Sequence, residues 1–324
     1  MALEPAMTGG TRKPHGGRRI GETSLQIVPF GGAMRMNSLL IAALLAPSPP
    51  LAGQAPAPQA DLPIPLDVMT FNIRTAEGRD GDNAWPHRKE LVAETIGRFD
   101  PHVVGLQEVL AEQIDFLEAE LPQYRWVGVD RGLNGGTGLS EATPIFYRYR
   151  ELVPVESGTF WLSGDPDQPS RRRRASRIVT WARFHHLASG RQIHVFNTHF
   201  SLRRGPGQLR SAEQINARVA SLPRGSAVIV MGDFNAVAES SDTWRVATGG
   251  GLRDAWVVAD QRQGPPLTSN GFGPPPEGWE GRIDWILVGG PITVPSVATI
   301  VHSARGRYPS DHYPVLATLE IRPR

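Results

Sequence analysis

Residues 227–235, Ala-Val-Ile-Val-Met-Gly-Asp-Phe-Asn, decide the fold. Ala227 to Met231 form an unbroken apolar run, short enough for a buried strand, and Gly232 ends it just before Asp233 and Asn235. The same arrangement recurs along the chain. Asn72 follows DVMTF, Glu108 follows VVGLQ, and His199 follows IHVFNT. Asp284 opens IDWILV, and Asp311 and His312 stand just ahead of PVLATLEI. Each is a carboxylate, amide or imidazole at the end of an apolar strand. Strand ends in an α/β architecture converge on one edge, where ligands bind.

Working outward, strands are predicted at 66–71, 102–107, 124–129, 143–149, 152–162, 178–185, 192–198, 227–231, 283–288, 297–301 and 314–321. Pro86 suits a first helical residue, and Leu91, Val92, Thr95, Ile96 and Phe99 then mark a helix face that Asp100-Pro101 closes. Ile114, Leu117 and Leu121 mark a second helix, and Leu209, Ala212, Ile215 and Val219 a third. Many strands with few helices predict an α/β four-layer sandwich: two packed mixed β-sheets flanked by helices, in one domain over 64–322. Trp161, Trp181 and Trp285 fall within strands and read as core rather than as base-stacking platforms.

The 324-residue chain is 40% hydrophobic, which excludes wholesale disorder. It has no cysteine, which excludes disulfide scaffolds, thiolate metal sites and cysteine nucleophiles. The formal net charge is +2, but residues 1–55 hold five basic and two acidic residues, leaving 29 basic and 30 acidic in the remainder. That remainder is −1, so whole-chain charge gives no argument for a polyanionic partner.

The basic excess belongs to a leader. Met34-Arg35-Met36-Asn37 precedes an apolar run from Ser38 to Ala46, followed by prolines 47, 49 and 50 and small residues around Gly53-Gln54-Ala55. This reads as a signal peptide over 34–55, with 56–63 as a linker and 1–33 as an extension outside the native protein. The run is about half the ~20 residues needed to span a bilayer, so no transmembrane anchor is expected. The protein is expected to be secreted or periplasmic, and a monomer.

Carboxylates crowded at one edge repel, and a hard divalent cation relieves that repulsion. Asn, Glu and Asp oxygens without thiolates suit Mg2+, or Mn2+, better than zinc. Histidines beside such a metal suit phosphoryl chemistry. Taken singly, each motif also reads as a turn, a cap or a satisfied core histidine. Their ordered combination is more specific.

TFNIR at 70–74, LQEV at 106–109, NTHF at 197–200, GDFN at 232–235, RIDWI at 282–286 and SDHYPV at 310–315 occur in an order that resembles the endonuclease/exonuclease/phosphatase superfamily. That superfamily has a deoxyribonuclease-I-like fold and includes nucleases, sphingomyelinases and inositol-polyphosphate phosphatases. FWLS at 160–163 and RIVTWARF at 177–184 resemble an exported bacterial branch. The resemblance implies a metal-dependent phosphoester hydrolase using in-line attack of an activated water. Its substrate would be a nucleic acid, a phospholipid head group or a small phosphorylated molecule.

By the same resemblance, Glu108 is the main metal ligand, with Asn72 and Asp311 beside it. Asp233 activates the water and Asn235 contacts the phosphate. His199 and His312 hydrogen-bond phosphoryl oxygens, Asp284 fixes the His312 tautomer, and Arg177 takes a phosphate oxygen. Some relatives carry an Asp two residues after the metal-site Asn. Here that place is Arg74, which departs from the pattern. Arg171–Arg174 reads either as a solvated loop or as a phosphate-steering rim. The alternative from another class is a catalytically inactive phosphate- or nucleic-acid-binding module on the same fold. It is disfavoured because binding alone does not require both histidines and the full acidic set.

Overall fold

Alternation along each strand sorts the residues into layers. In β1 (Ile64–Asn72), Leu66 and Val68 point to one face and Met69 and Phe71 to the other, and all four are fully buried. Both faces of such a strand must be covered, and the computed structural model shows how. It describes residues 62–131, 140–168, 177–278 and 281–323. The expected leader, most of the linker and Arg171–Arg174 lie outside these residues.

One sheet runs β10-β12-β13-β1-β2-β4-β3 and the other β5-β6-β7-β8-β11-β9. The first comprises β1, β2 (Val103–Gln107), β3 (Tyr124–Val127), β4 (Ile145–Arg148), β10 (Gln261–Gln263), β12 (Ile292–Thr299) and β13 (Val315–Ile321). The second comprises β5 (Leu152–Trp161), β6 (Ile178–His186), β7 (Gln192–His199), β8 (Ala227–Asp233), β9 (Arg253–Asp254) and β11 (Asp284–Gly289). Both are mixed: β1 pairs β2, and β7 pairs β8, in parallel, while β1–β13 and β8–β11 are antiparallel.

Three apolar clusters define the layers. Leu66, Val68, Ile229, Met231, Ile286 and Leu319 belong to a core between the sheets. The outer face of the first sheet packs Phe71, Val104 and Leu106 against Val92 and Ile96 of α1 (Lys89–Phe99) and Ile114 and Leu117 of α2 (Ala111–Glu120). The outer face of the second packs Val230 and Leu287 against Ala212 and Ile215 of α3 (Pro206–Ala220) and Ala247 of α4 (Asp242–Gly249). A short helix, α5 (Ala255–Val258), follows β9. The expected four-layer sandwich is the observed architecture. Among the described residues, no helix is long and apolar enough to cross a membrane.

The strand expected at 297–301 instead spans 292–299. Pro295 interrupts its apolar pattern, and the ladder absorbs the interruption in a bulge between Thr293 and Ser296. The pattern alone did not mark α4. Its local signal is Ser241, whose side chain caps the helix by accepting from the Trp244 backbone N–H. Trp285 is a core residue as expected, stacked on Phe234 at 4.3 Å between centroids.

Candidate active site

The alternation that builds the inter-sheet core also builds the site. Ile193 and Val195 of β7 point between the sheets, so Asn197 and His199 share that face. Ile229 and Met231 of β8 likewise set the direction of Asp233, and Ile286 and Val288 of β11 that of Asp284. Strand register then aligns them: Asp233 pairs with His199 on one side and Asp284 on the other. Gly232 makes the alignment possible. Its φ is +152°, and a Cβ there would lie 2.0 Å from the Thr198 carbonyl oxygen.

Beneath this row lies a polar belt that joins the sheets. Gln107 Nε2 donates to Thr70 Oγ1 at 3.0 Å and to Asn197 Oδ1 at 2.7 Å. Asn197 Nδ2 returns bonds to the Leu106 and Pro144 carbonyls at 2.8 and 2.9 Å. These bonds pair the Asn197 amide and Gln107 Nε2 at the boundary where the apolar core gives way to the site, while Gln107 Oε1 is buried without a partner among the described residues.

The second contribution comes from the first sheet. Asn72 Oδ1 accepts the Arg74 backbone N–H, which fixes the amide orientation and turns Nδ2 toward Glu108 Oε1 (3.1 Å) and Asp233 Oδ2 (3.0 Å). Asn72, expected among the metal ligands, thus stands as a donor between two carboxylates. Glu108 Oε2 also accepts the Thr75 backbone N–H. Arg74, Glu108 and Asn235 have φ of 56°, 62° and 49°, so three non-glycine left-handed residues cluster at this edge.

Hydrogen-bond geometry and burial assign the protons. His199 Nδ1 lies 3.3 Å from Arg131 Nη2, and a guanidinium can only donate, so Nδ1 accepts. Burial, followed by the charges of Arg177 and Arg131, holds His199 well below the usual imidazole range. The neutral ring therefore carries its proton on Nε2, 3.4 Å from Asp233 Oδ2. Burial also opposes a charge on His312, but Asp284 outweighs it across a 2.9 Å bond to Nδ1 and raises the pKa to about 10. Burial and then the Asp284 carboxylate raise Asp233 to about 7. The row thus holds a neutral imidazole, a carboxylate that is a good proton acceptor near neutrality, and an imidazolium.

The sequence model of the Endonuclease/Exonuclease/phosphatase family matches residues 69–312. The chain belongs to this family. A family protein from Bacteroides vulgatus is 32% identical over 80% of this chain and 100% of its own, with a TM-score of 0.74. One from Bacteroides thetaiotaomicron is 30% identical over 81% and 100%, also at 0.74. A mannosyl-6-phosphatase from Bacteroides thetaiotaomicron is 31% identical over 78% and 99%, at 0.71. No curated protein matches the chain.

The endonuclease/exonuclease/phosphatase fold brings most of the expected residues together. Asp233 and His199 are almost fully buried at 1% and 3% exposure, because the sheets close over them. Asn235 turns inward: its Nδ2 donates to the Phe200 carbonyl and its N–H to Asp233 Oδ1, so it braces the loop. Arg177 is partly buried, and its Nη1 has no hydrogen-bond partner among the described residues.

Four participants were not read from sequence. Arg131 and Glu141 form an ion pair of 2.6 Å against His199. Asn270 has both side-chain polar atoms buried and without a hydrogen-bond partner among the described residues, while its backbone N–H donates to the Asp311 carbonyl. Arg88 is fully buried and donates to the carbonyls of Ile73, Arg74, Asn83 and Pro309, framing the loops that carry Asn72 and Asp311. The signal for Arg88 is its place at the start of α1, where a cation opposes the helix dipole and needs another reason to be there.

The donor set fits a hard divalent cation. Glu108 Oε2 lies 3.8 Å from Arg74 Nη1 and Asp311 Oδ2 3.8 Å from Arg74 Nε, so both carboxylates end beside one guanidinium. Asp233, Asp284 and His312 bring ligand atoms within 4.8 Å of one another. His312 Nδ1 and Asp284 Oδ2 are already bonded to each other at 2.9 Å, which leaves the Glu108–Asp311 side for the ion.

Proposed function

We propose that the chain hydrolyses phosphoester bonds with a bound magnesium or manganese ion, by in-line attack of a water on phosphorus. Glu108 and Asp311 would hold the ion, with Asn72 aligning Glu108, and the bound ion supplies positive charge to the phosphoryl oxygens. Asp233 takes the proton from the attacking water; a pKa of about 7 matches that task at neutral pH. His199 Nε2–H orients Asp233 and reaches for a phosphoryl oxygen. His312, charged through Asp284, stabilises the developing negative charge and gives its proton to the leaving oxygen. Arg177 Nη1 receives another phosphoryl oxygen.

The observation that carries this reading is the geometry of one buried row, in which Asp233 Oδ2 lies 3.4 Å from His199 Nε2 and His312 Nδ1 is bonded to Asp284 at 2.9 Å. Asp233 and His312 are driven to states suited to base and acid within one buried row. A module that only binds phosphate needs positive charge but no such contrast. The similar mannosyl-6-phosphatase supports a phosphatase over a nuclease, so sugar phosphates are the first substrates to test. The test is turnover of mannose 6-phosphate, p-nitrophenyl phosphate, bis(p-nitrophenyl) phosphate, DNA and sphingomyelin with Mg2+ or Mn2+. Turnover on at least one, abolished in Asp233→Asn, is expected. Wild-type inactivity on all of them sinks the hydrolase reading. We also infer, from the leader, that the protein is exported, and that it acts as a monomer.

A further inference from the structure

Arg74 is the residue that the family resemblance did not accommodate, and its surroundings give it a task. Its left-handed backbone is clamped from both ends. Its N–H donates to Asn72 Oδ1, and its carbonyl accepts from Arg88 Nη2 and Gln113 Nε2. The side chain is gripped by Asp80, whose carboxylate takes Nη2 at 3.0 Å and Nε at 3.1 Å in a two-pronged bond. Gly78 leaves room for this grip: a Cβ there would lie 2.1 Å from Asp80 Oδ2 and 3.2 Å from Arg74 Nε.

The remaining nitrogen, Nη1, donates to no described residue. It lies 3.8 Å from Glu108 Oε2, as Nε does from Asp311 Oδ2. These separations are beyond hydrogen-bond reach, so the guanidinium meets both carboxylates through charge alone. Its side chain is 32% exposed, facing the space in which the two carboxylates end. A divalent ion on Glu108 and Asp311 would share that space with a fixed positive group. An anion bridging the two positive groups would offset their repulsion. Arg177 presents another guanidinium whose Nη1 has no hydrogen-bond partner among the described residues.

We propose that Arg74, held by Asp80, takes an oxygen of a terminal phosphoryl group and makes the site select dianionic phosphomonoesters over phosphodiesters. This deepens the hydrolase reading and rests on it. A monoester carries a second negative charge above a pKa of about 6, and a diester carries one at any pH. A guanidinium placed beside the metal is the group that registers that difference. Arg74 touches substrate; Asp80 is a positioning residue.

The experiment compares wild type, Arg74→Gln, Arg74→Lys and Asp80→Asn with Mn2+ on p-nitrophenyl phosphate and bis(p-nitrophenyl) phosphate. Calorimetric binding of inorganic phosphate is measured alongside. Arg74→Gln should lower kcat/KM on the monoester by about 100-fold while changing that on the diester less than about threefold. The rise in monoester kcat/KM with pH near 6 should flatten. Phosphate affinity should fall by about tenfold or more. Arg74→Lys should restore part of the loss, and Asp80→Asn should reproduce part of it with unchanged Tm. Equal losses on both substrates, or undiminished phosphate binding, would overturn the proposal. If wild type turns over neither of these two esters, the hydrolase reading stands or falls on the wider substrate set, and the phosphate titration still decides the role of Arg74.

Discussion

His312 Nδ1 lies 2.9 Å from Asp284 Oδ2, and the pair is sealed between the two sheets with exposures of 8% and 0%. The His312 pKa is raised from 6.5 to about 10 in the folded protein. A group raised in this way stabilises fully below its unfolded pKa and loses that contribution as pH rises through its folded value. In chelator, the Tm of wild type should therefore fall between pH 7 and 10, and His312→Gln should lack that part of the slope. Parallel Tm-versus-pH curves for the two proteins would contradict the charged-pair assignment.

Asp233 carries its cost in the opposite function. Its folded pKa is raised from 3.8 to about 7, so its contribution is complete below about pH 4 and gone above about 7. At pH 8 without metal, Asp233→Asn should melt within ~1 kcal/mol of wild type, or higher, because repulsion from Asp284 is relieved. Its kcat should fall by about 100-fold or more. Val230→Ala, fully buried on the helix-facing side of the same strand, should lower Tm and spare the kcat of the folded fraction. Near-wild-type turnover in Asp233→Asn would place the chemistry elsewhere.

His199 is too buried for truncation to be silent. His199→Ala removes one of the two acceptors of Arg131 Nη2, leaving Glu141 Oε2 as the other, and opens a cavity, at a cost of about 1–3 kcal/mol. His199→Gln keeps an acceptor for Arg131 and should recover most of that stability while kcat stays at least about 100-fold down. Thermal melts and single-turnover rates on both variants separate the two effects.

Arg88 has a structural task that lysine cannot perform. Four carbonyls take its N–H groups. The Arg74 carbonyl keeps Gln113 Nε2 as a donor, so Arg88→Met strands the other three at about 1–3 kcal/mol each, and a loss of at least ~3 kcal/mol by urea denaturation is expected. Arg88→Lys should rescue little, since one ammonium cannot span the four acceptors. A variant as stable as wild type would show that the carbonyls find other donors.

Metal dependence and export are separate expectations. Activity should vanish on exhaustive EDTA dialysis and return with Mg2+ or Mn2+. Saturating metal at ~100 times Kd should add about 2.7 kcal/mol to wild-type stability and little to Glu108→Gln. For export, mass spectrometry of protein from the native envelope or medium should give an N-terminus near Pro56. Intact Met1 in the cytoplasm would contradict it.

Much of this was legible because the strands announce themselves. Apolar runs closing on Asn72, Glu108, His199, Asp233 and Asp284 encode both the sheets and the edge they share. Period-two alternation even fixes which face those side chains take. What stayed hidden arises from loops that fold back. Asp80 reaches Arg74, Glu141 reaches Arg131, and Asn270 approaches Asp311 across segments without periodicity. Burial of Asp233 and His199 was missed for a different reason. A strand end looks solvent-facing in sequence, and only the second sheet closes it.

The polar belt of Gln107 and Asn197 ties two sheets whose edges contribute different parts of the chemistry. Asn72 and Glu108 come from one side, and His199, Asp233 and Asp284 from the other. The apolar layer below is therefore a spacer whose thickness the reaction reads. Shaving Met231 or Val68, both in that layer, should disturb kcat at a stability cost that leaves it untouched when the same volume is removed beneath α1 or α3. In this molecule the greasiest residues set the distance between Asp233 on one sheet and Glu108 on the other.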